Sequence, residues 1–506
     1  MENQDNCSNK NRTCLNCPAA KLKGNVDFRV CGQSKKIVSV RGDENIMIEC
    51  NRRPELGHFE PNITFEQCPQ WQKTDYGYLL RNMRVMILGI DGYLGWTLAL
   101  KLASLGCRVS GIDNYCRRKC LGERGAHSIV PISKMTERLR AAREVLDFDI
   151  NFRWMDIRDR AKLKEFLEEE KPEAIVHYAE IPSAPYSMID VDHAIKVQDN
   201  NVLGTLGLLW LMKDVVPNTS LIKLGTLGEF GSPLTGRPIF EGIFPADAVL
   251  KWKGREWSLG GELTPRDPVS FYHISKVQDT FNVYKLCKYW DLRSYDIMQG
   301  IIYGVYTDQT AADIRLRTRL DIDEHFGTVI NRFVSQAILG MPLTIYGKGE
   351  QIKGAIALED AMECMVRLIA SPPKPGQYDV VNQVSGLHKL KDIAEVVSMV
   401  AKEKFGLNPK IQRIENPRIE NEIHPYEVVS QKLSSLGFEP KVSLEKEIIR
   451  MFELLTKPEI KKRIEEKRHS IMPKTRWSGE KKESDILETY EPGTKEKGGY
   501  EGILDK

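Results

Sequence analysis

Tyr272 and Lys276 stand four positions apart in Phe271-Tyr-His-Ile-Ser-Lys276, inside a stretch whose pattern predicts a helix. That spacing puts both side chains on one helical face. A phenol is a poor base at neutral pH unless a nearby ammonium stabilises its phenolate. Lys276 is such an ammonium, so the pair can take a proton from a substrate hydroxyl. Thr226, in Leu224-Gly-Thr-Leu-Gly-Glu-Phe-Gly231 after a predicted strand, can hold the reacting hydroxyl. A tyrosine–lysine pair at this spacing arises by chance in many chains. Its weight depends on the elements around it.

The decisive element lies upstream. Gly89-Ile-Asp91-Gly92-Tyr93-Leu94-Gly95 follows the apolar run Val85-Met-Ile-Leu88 and precedes a predicted helix from Trp96 to Leu105. A buried strand that breaks into a glycine turn and opens a helix is the start of a dinucleotide-binding unit. The glycines let the backbone approach a pyrophosphate, and the helix N-terminus offers free N–H groups to it. The next strand ends in Asp113, roughly twenty positions past the loop, where an acid suits a ribose 2′-hydroxyl and favours NAD over NADP. With a nicotinamide cofactor in the site, Lys276 can also hold its ribose.

The remaining strands expected are Asn151–Met155, Ala174–Tyr178, Leu221–Leu224 and Arg293–Gln299, with helices at 161–170, 198–215 and 270–288 between them. This alternation predicts an α/β fold with a doubly wound parallel sheet, a Rossmann domain over 81–310. Residues 311–477 carry shorter elements and are expected to form mostly a smaller substrate domain interleaved with it. Residues 478–506 are charged and read as a disordered tail. The chain has 506 residues, 41% hydrophobic and 28% charged, a soluble globular balance. A net charge of +3 creates no strong field for nucleic acid or membrane. No apolar run approaches a membrane span, and the polar start has no signal-peptide core, so a cytoplasmic protein is expected.

Six of the eleven cysteines fall in the first 68 residues, which sets residues 1–80 apart as a small Cys-rich module with a β-hairpin around Gly32. In a reducing compartment such a module more often binds metal than forms disulfides. Cys14-Leu-Asn-Cys17, with Cys31, Cys50 and Cys68, is the candidate set for zinc or an iron–sulfur cluster. The alternative is a small domain of reduced, partly buried thiols.

The glycine loop, Asp113, Asn200-Asn-Val-Leu-Gly-Thr205, Thr226 and Tyr272/Lys276 resemble the extended short-chain dehydrogenase/reductases, the epimerases and dehydratases of nucleotide sugars. Longer stretches resemble the UDP-sulfoquinovose synthase family: Ser183–Asp190, Lys223–Gly231, Ser270–Val277, Gln299–Val305, Phe326–Phe333, Pro342–Gly349, Asn416-Pro-Arg418 and Ile471-Met-Pro473. The likeness runs from about Met83 to Trp477. It implies UDP-glucose bound beside tightly held NAD. Tyr272 would deprotonate the C4 hydroxyl, with Thr226 orienting its oxygen. The 4-ketone then permits loss of water from C5/C6 and addition of sulfite at C6. His273 matches the family's motif and is a candidate for the C5/C6 proton work; a supporting histidine that holds a loop is the equal alternative. By the same resemblance Asp113, Asn114, Arg117 and Arg118 match the adenosine segment and Asp156-Ile157 the adenine stretch. Asn200 and Val305 match positions near the nicotinamide. Gln299, Thr344, Ile345, Tyr346 and Arg418 match the UDP-sugar side. The family also implies a homodimer through the helices near 198–215 and 270–288, and sulfite or a sulfur-donor protein as partner.

Two departures stand out. Where the family carries an arginine that contacts substrate or sulfite, this chain has Pro182, which brings neither charge nor donor. Lys353 replaces an arginine, keeping a charge for a diphosphate but losing the bidentate fork. Ala357 and Glu359 replace an acid and a base in the same stretch. Both changes leave the oxidation set intact, so a UDP-sugar 4-epimerase or 4,6-dehydratase of the same fold is the alternative. A non-catalytic nucleotide-sugar sensor is a third, opposed by the intact Thr226/Tyr272/Lys276 set.

Overall fold

The computed structural model describes residues 76–232, 236–423, 426–480 and 482–493, together with the backbone of five short strands nearer the N-terminus. The chain divides into two units, 1–81 and 82–506.

In the first unit, Val26–Val30 and Ile37–Gly42 pair antiparallel, which is the expected hairpin. Met47–Cys50 is also a strand, paired antiparallel with Ala20–Lys23 and His58–Phe59. Of the candidate metal ligands, Cys14, Cys17, Cys31 and Cys68 lie outside the described residues, and only the backbone of Cys50 lies within them. Among the described residues no group of three or more His, Cys, Asp or Glu is placed to hold a metal ion.

The second unit is built on strands β1 (Arg84–Leu88), β2 (Arg108–Asp113), β3 (Ile150–Trp154), β4 (Ala174–His177), β5 (Ser220–Leu224) and β6 (Arg293–Gln299). These six sit where the sequence pattern puts them, to within a residue or two at their ends. All pair in parallel, in the order β3-β2-β1-β4-β5-β6. The chain winds outward from β1, returns past it and winds the other way, which leaves a crevice where the order reverses. Helices α1 (Tyr93–Ser104), α2 (Arg160–Glu170), α3 (Gly204–Val215) and α4 (Phe271–Trp290) connect the strands. Met86, Leu88, Phe166, Leu208, Met212 and Val283 are fully buried in one apolar cluster that fastens α2, α3 and α4 to the sheet.

The smaller lobe carries β7 (Ile301–Tyr303), β8 (Leu343–Tyr346) and β9 (Ile352–Ala357), then, after the chain returns to the main sheet, β11 (Gly386–Lys389), β12 (Ile411–Ile414) and β13 (Ile486–Tyr490). The intervening β10 (Tyr378–Gln383) adds a seventh parallel strand beside β6. Strands β7-β9-β11 form one small sheet and β8-β12-β13 another. Helices Val329–Ile338, Leu390–Phe405 and Leu444–Leu455 pack around them in a second apolar core. Strand β13 corrects the expectation of a wholly disordered tail. It pairs antiparallel with β12, and Tyr490 packs on the lobe's core, so backbone pairing and one aromatic anchor order a charged stretch.

Candidate active site

The cavity at the crevice gathers residues from both lobes. Its floor is the glycine turn between β1 and α1. Gly89 has φ +87°, and a Cβ there would lie 2.6 Å from the Tyr178 carbonyl carbon. A Cβ on Gly95 would lie 2.2 Å from the Gly89 oxygen. Both positions therefore need glycine, because the atoms in the way are backbone. Asp91, Gly92, Tyr93, Leu94 and Gly95 line the cavity with the N-terminus of α1.

Asp113, at the end of β2, accepts hydrogen bonds from the N–H groups of Asp91 at 2.9 Å and Tyr115 at 2.7 Å. Burial and the neighbouring Asp91 charge push its carboxyl up to about 6. Asn114 lines the cavity and donates to Asp156 at 2.8 Å. Arg158 holds the Asp156 carboxylate down at about 2, and Ile157 forms the wall beside it. Arg118 does not line the cavity: its guanidinium grips Asp91 through two 2.6 Å hydrogen bonds. Arg117 does line it, paired with Asp321 at 2.8 Å and stacked 3.9 Å over the Phe326 ring.

Between Val191–Gln198 and α3 the helix widens into a π turn over Asp199–Leu203. Such turns mark functional sites because they re-aim side chains. Here Asn200 donates to the Ala179 carbonyl at 3.2 Å and Asn201 accepts from the Ile181 N–H at 2.8 Å, which fixes the segment after β4.

Ser270 caps α4, accepting from the His273 N–H at 3.2 Å. One turn on, Tyr272 and Lys276 are both buried and both line the cavity, with the ammonium 5.8 Å from the phenol ring centre. Burial and the Glu229 charge push the Tyr272 phenol up. Burial pulls Lys276 down to about 8. Its ammonium donates to the Leu224 carbonyl at 2.5 Å and is in contact with the carboxylate of Glu180. Thr226 opens a short helical turn, its hydroxyl accepting from the Gly228 N–H at 3.1 Å. Beneath them lies a buried charge network. Lys223 is 3.2 Å from Asp296 and 3.7 Å from Glu229, and donates to Thr280 at 3.1 Å and to the Lys276 carbonyl at 3.2 Å. It ties β5, β6 and α4 into one rigid block under the tyrosine–lysine pair.

His273 points elsewhere. Its Nδ1 is 3.0 Å from the Ser270 hydroxyl, and its Nε2 lies 2.3 Å from where a Cβ on Gly228 would be. Burial, with Lys353 and Arg418 nearby, holds the ring neutral, down to about 3. Those two cations belong to a second cluster. Lys353 pairs with Glu420 at 3.1 Å, and Arg418 lies 5.6 Å over the Tyr346 ring, whose hydroxyl also accepts from Arg332. Glu420 is held down at about 2: its burial opposes this, and Lys353 and Arg418 override it.

Of the residues singled out from sequence, the glycine loop, Asp113, Asn114, Arg117, Ile157, Asn200, Thr226, Tyr272, Lys276 and Gln299 line one cavity. Arg118, Asp156, His273, Val305, Thr344, Ile345, Tyr346, Lys353 and Arg418 stand outside its lining. The side chains of Ile345 and Val305 are buried in the smaller lobe's core, and Thr344 is bonded to Gln336 at 2.8 Å. Three charged residues that sequence reasoning passed over also line the cavity: Glu180, Arg319 and Asp321. Glu180 had a signal, an acid just past the end of a buried strand. The other two lie in a stretch without periodicity and had none.

With this geometry in hand, comparison with known proteins is specific. The NAD dependent epimerase/dehydratase family matches residues 85–382. The chain belongs to this family. It is 42% identical to the UDP-sulfoquinovose synthase of Sulfolobus acidocaldarius over 395 residues, spanning 78% of this chain and 98% of that protein. It is 40% identical to the chloroplastic UDP-sulfoquinovose synthase of Spinacia oleracea over 357 residues, 71% of this chain and 72% of the relative. In fold it matches the UDP-glucose 4-epimerase of Thermotoga maritima with a TM-score of 0.55 at 18% identity, covering 73% of this chain and 98% of that structure. The protein is thus an NAD-dependent enzyme of nucleotide-sugar chemistry. No helix among the described residues is long and apolar enough to cross a membrane.

Proposed function

We propose that this enzyme makes UDP-sulfoquinovose from UDP-glucose and sulfite, with water as the other product. The observation that carries the proposal is the Thr226/Tyr272/Lys276 set in one cavity, in a chain similar to a UDP-sulfoquinovose synthase across 98% of that relative's length. NAD bound here would supply a reversible hydride acceptor for C4, so none would be consumed. The cavity suits it: glycine positions that tolerate no Cβ, a helix N-terminus for its diphosphate, and Asp113 for a ribose hydroxyl.

The remaining steps fall to the chain's own side chains. Thr226 orients the C4 oxygen and Tyr272 takes its proton. Lys276 keeps a positive charge beside the phenolate, and the Lys223 block holds both in register. The 4-ketone makes the C5 proton acidic, water leaves from C5/C6, and sulfite adds at C6. His273, outside the cavity lining with its Nδ1 at Ser270 and its Nε2 against Gly228, takes the supporting role of holding that turn. Tyr346, Lys353 and Arg418 recognise the UDP end. The sulfite comes free or from a sulfur-donor protein.

Pro182 favours a second reading. It lines the cavity where the family has an arginine, so a 4-epimerase or 4,6-dehydratase is the alternative. Incubation with UDP-glucose, NAD and sulfite, read by mass spectrometry, separates the two. The expected product has the mass of UDP-sulfoquinovose. A UDP-hexose epimer or a 4-keto-6-deoxy sugar overturns it.

Ile195, Leu203, Trp210 and Phe281 are exposed apolar side chains on neighbouring helices, which supports a homodimer through this surface. Light scattering tests it. For residues 1–80, zinc or an iron–sulfur cluster on the cysteines remains the proposal, tested by metal analysis of Cys14→Ser and Cys17→Ser protein. A cytoplasmic setting is part of the same reading.

A further inference from the structure

The segment from Ile314 to Asp323 crosses the N-terminal end of α1. The Leu316 carbonyl accepts from the Trp96 indole N–H at 2.9 Å, and the Thr318 hydroxyl donates to the Tyr93 carbonyl at 2.9 Å. Arg319 follows directly, 2% exposed and facing the cavity. Its Nε donates to Asp321 Oδ2 at 3.2 Å. The same oxygen accepts from Arg117 Nη2 at 2.8 Å. Two guanidiniums thus share one carboxylate oxygen.

Asp113 and Asp323 also act on Arg319 and Arg117 through their charges, so hydrogen bonding, and not net charge, is what remains unsatisfied. Asp91 is already engaged by Arg118 at 2.6 Å and Arg138 at 2.9 Å. Among the described residues Arg319 Nη1 is buried with no hydrogen-bond partner, and so is Asp321 Oδ1. A buried donor left unpaired is costly, more so on a charged group. The free N–H groups at the start of α1 add partial positive charge on the same side of the cavity. A spare cationic donor on a residue that lines the same cavity as a helix N-terminus suits an anion. One spare carboxylate oxygen beside it requires a hydroxyl. A diphosphate joined to ribose offers both.

We propose that Arg319 and Asp321, carried on this crossing segment, close over the diphosphate and ribose of the dinucleotide and act as a clasp that keeps it from leaving. The proposal rests on the NAD reading above. It gives the loop after β7 a task that neither the glycine turn nor Asp113 performs: slowing release.

The test is cofactor retention, read apart from turnover. Wild type, Arg319→Gln and Asp321→Asn proteins are purified, and the NAD released on acid denaturation is counted per protomer. Exchange against isotopically labelled NAD is then timed. Wild type should retain its dinucleotide. Arg319→Gln should exchange at least tenfold faster, because it loses a charged donor. Asp321→Asn loses the carboxylate that both guanidiniums share, so it should exchange faster than wild type as well. Phe452→Ala, a destabilising change in the smaller lobe's core away from the cavity, reports a general loss of folding; exchange sped there as much as in Arg319→Gln overturns the clasp. Wild-type exchange in Arg319→Gln also overturns it. If wild type itself neither carries nor takes up NAD, the NAD reading fails, and the clasp with it.

Discussion

Replacing Lys276 by methionine tests the tyrosine–lysine pair at its most quantitative point. The ammonium lies 5.8 Å from the centre of the Tyr272 ring. At an effective dielectric constant of about 20, a unit charge at that separation is worth about 3 kcal/mol, or about two pK units. Tyr272 is already pushed up by burial and by Glu229. Without Lys276 its phenolate becomes about a hundredfold rarer at neutral pH, and sugar oxidation should slow by about that factor. The assay is rapid mixing of NAD-loaded enzyme with UDP-glucose and no sulfite, following the near-ultraviolet absorbance of reduced nicotinamide. The wild-type rate should rise with pH and level off above about 8, where the buried Lys276 loses its proton and each further gain in phenolate is offset by a loss of ammonium. Lys276→Arg keeps its charge through that range, so whatever rate it retains should go on rising above about 8. A Lys276→Met rate within threefold of wild type, or the same levelling at about 8 in Lys276→Arg, would refute the electrostatic role.

Three further changes probe the scaffold. Gly95→Ala puts a Cβ 2.2 Å from the Gly89 oxygen and 2.9 Å from the Ile90 Cα, so the loop must move and NAD retention should be lost; equal retention would deny that the turn needs glycine. Lys223→Met strands Asp296 and Glu229 in the interior, and urea denaturation should show a loss of about 3–5 kcal/mol. His177 is fully buried, bonded to Thr205 at 3.0 Å, and held neutral down to about 3. It is protonated only in the unfolded chain between about 6.5 and 3, so its contribution is intact above about 6.5 and falls by about 1.4 kcal/mol per pH unit below that. His177→Gln should flatten the acid side of the stability curve by that slope, and an unchanged slope would place the proton elsewhere.

The six strands from Arg84 to Gln299 were legible because each is a short apolar run with a helix period between it and the next. The glycine turn was legible because it sits between the two. Strand β10 was not, since its place beside β6 depends on a pairing made after the chain has built most of a second lobe. Nor was β13, whose residues look like charged tail until β12 offers an edge. The same distinction divides the cavity. Tyr272 and Lys276 share one helix, so spacing alone joins them. Arg319, Asp321 and Arg117 meet only through tertiary folding, over about two hundred positions of chain. Arg118 shows the converse: it matches an adenosine-binding segment, yet the structure spends its guanidinium on Asp91.

The central claim is that this cavity oxidises C4 of a UDP-sugar and so makes its C5 proton exchangeable. NAD-loaded enzyme is incubated with UDP-glucose in deuterated water without sulfite, and the recovered UDP-sugar is read by mass spectrometry and NMR. Deuterium at C5 with wild type, and none with Tyr272→Phe, is the expected result. Wild-type enzyme that binds UDP-glucose and NAD yet leaves C5 unlabelled would contradict it.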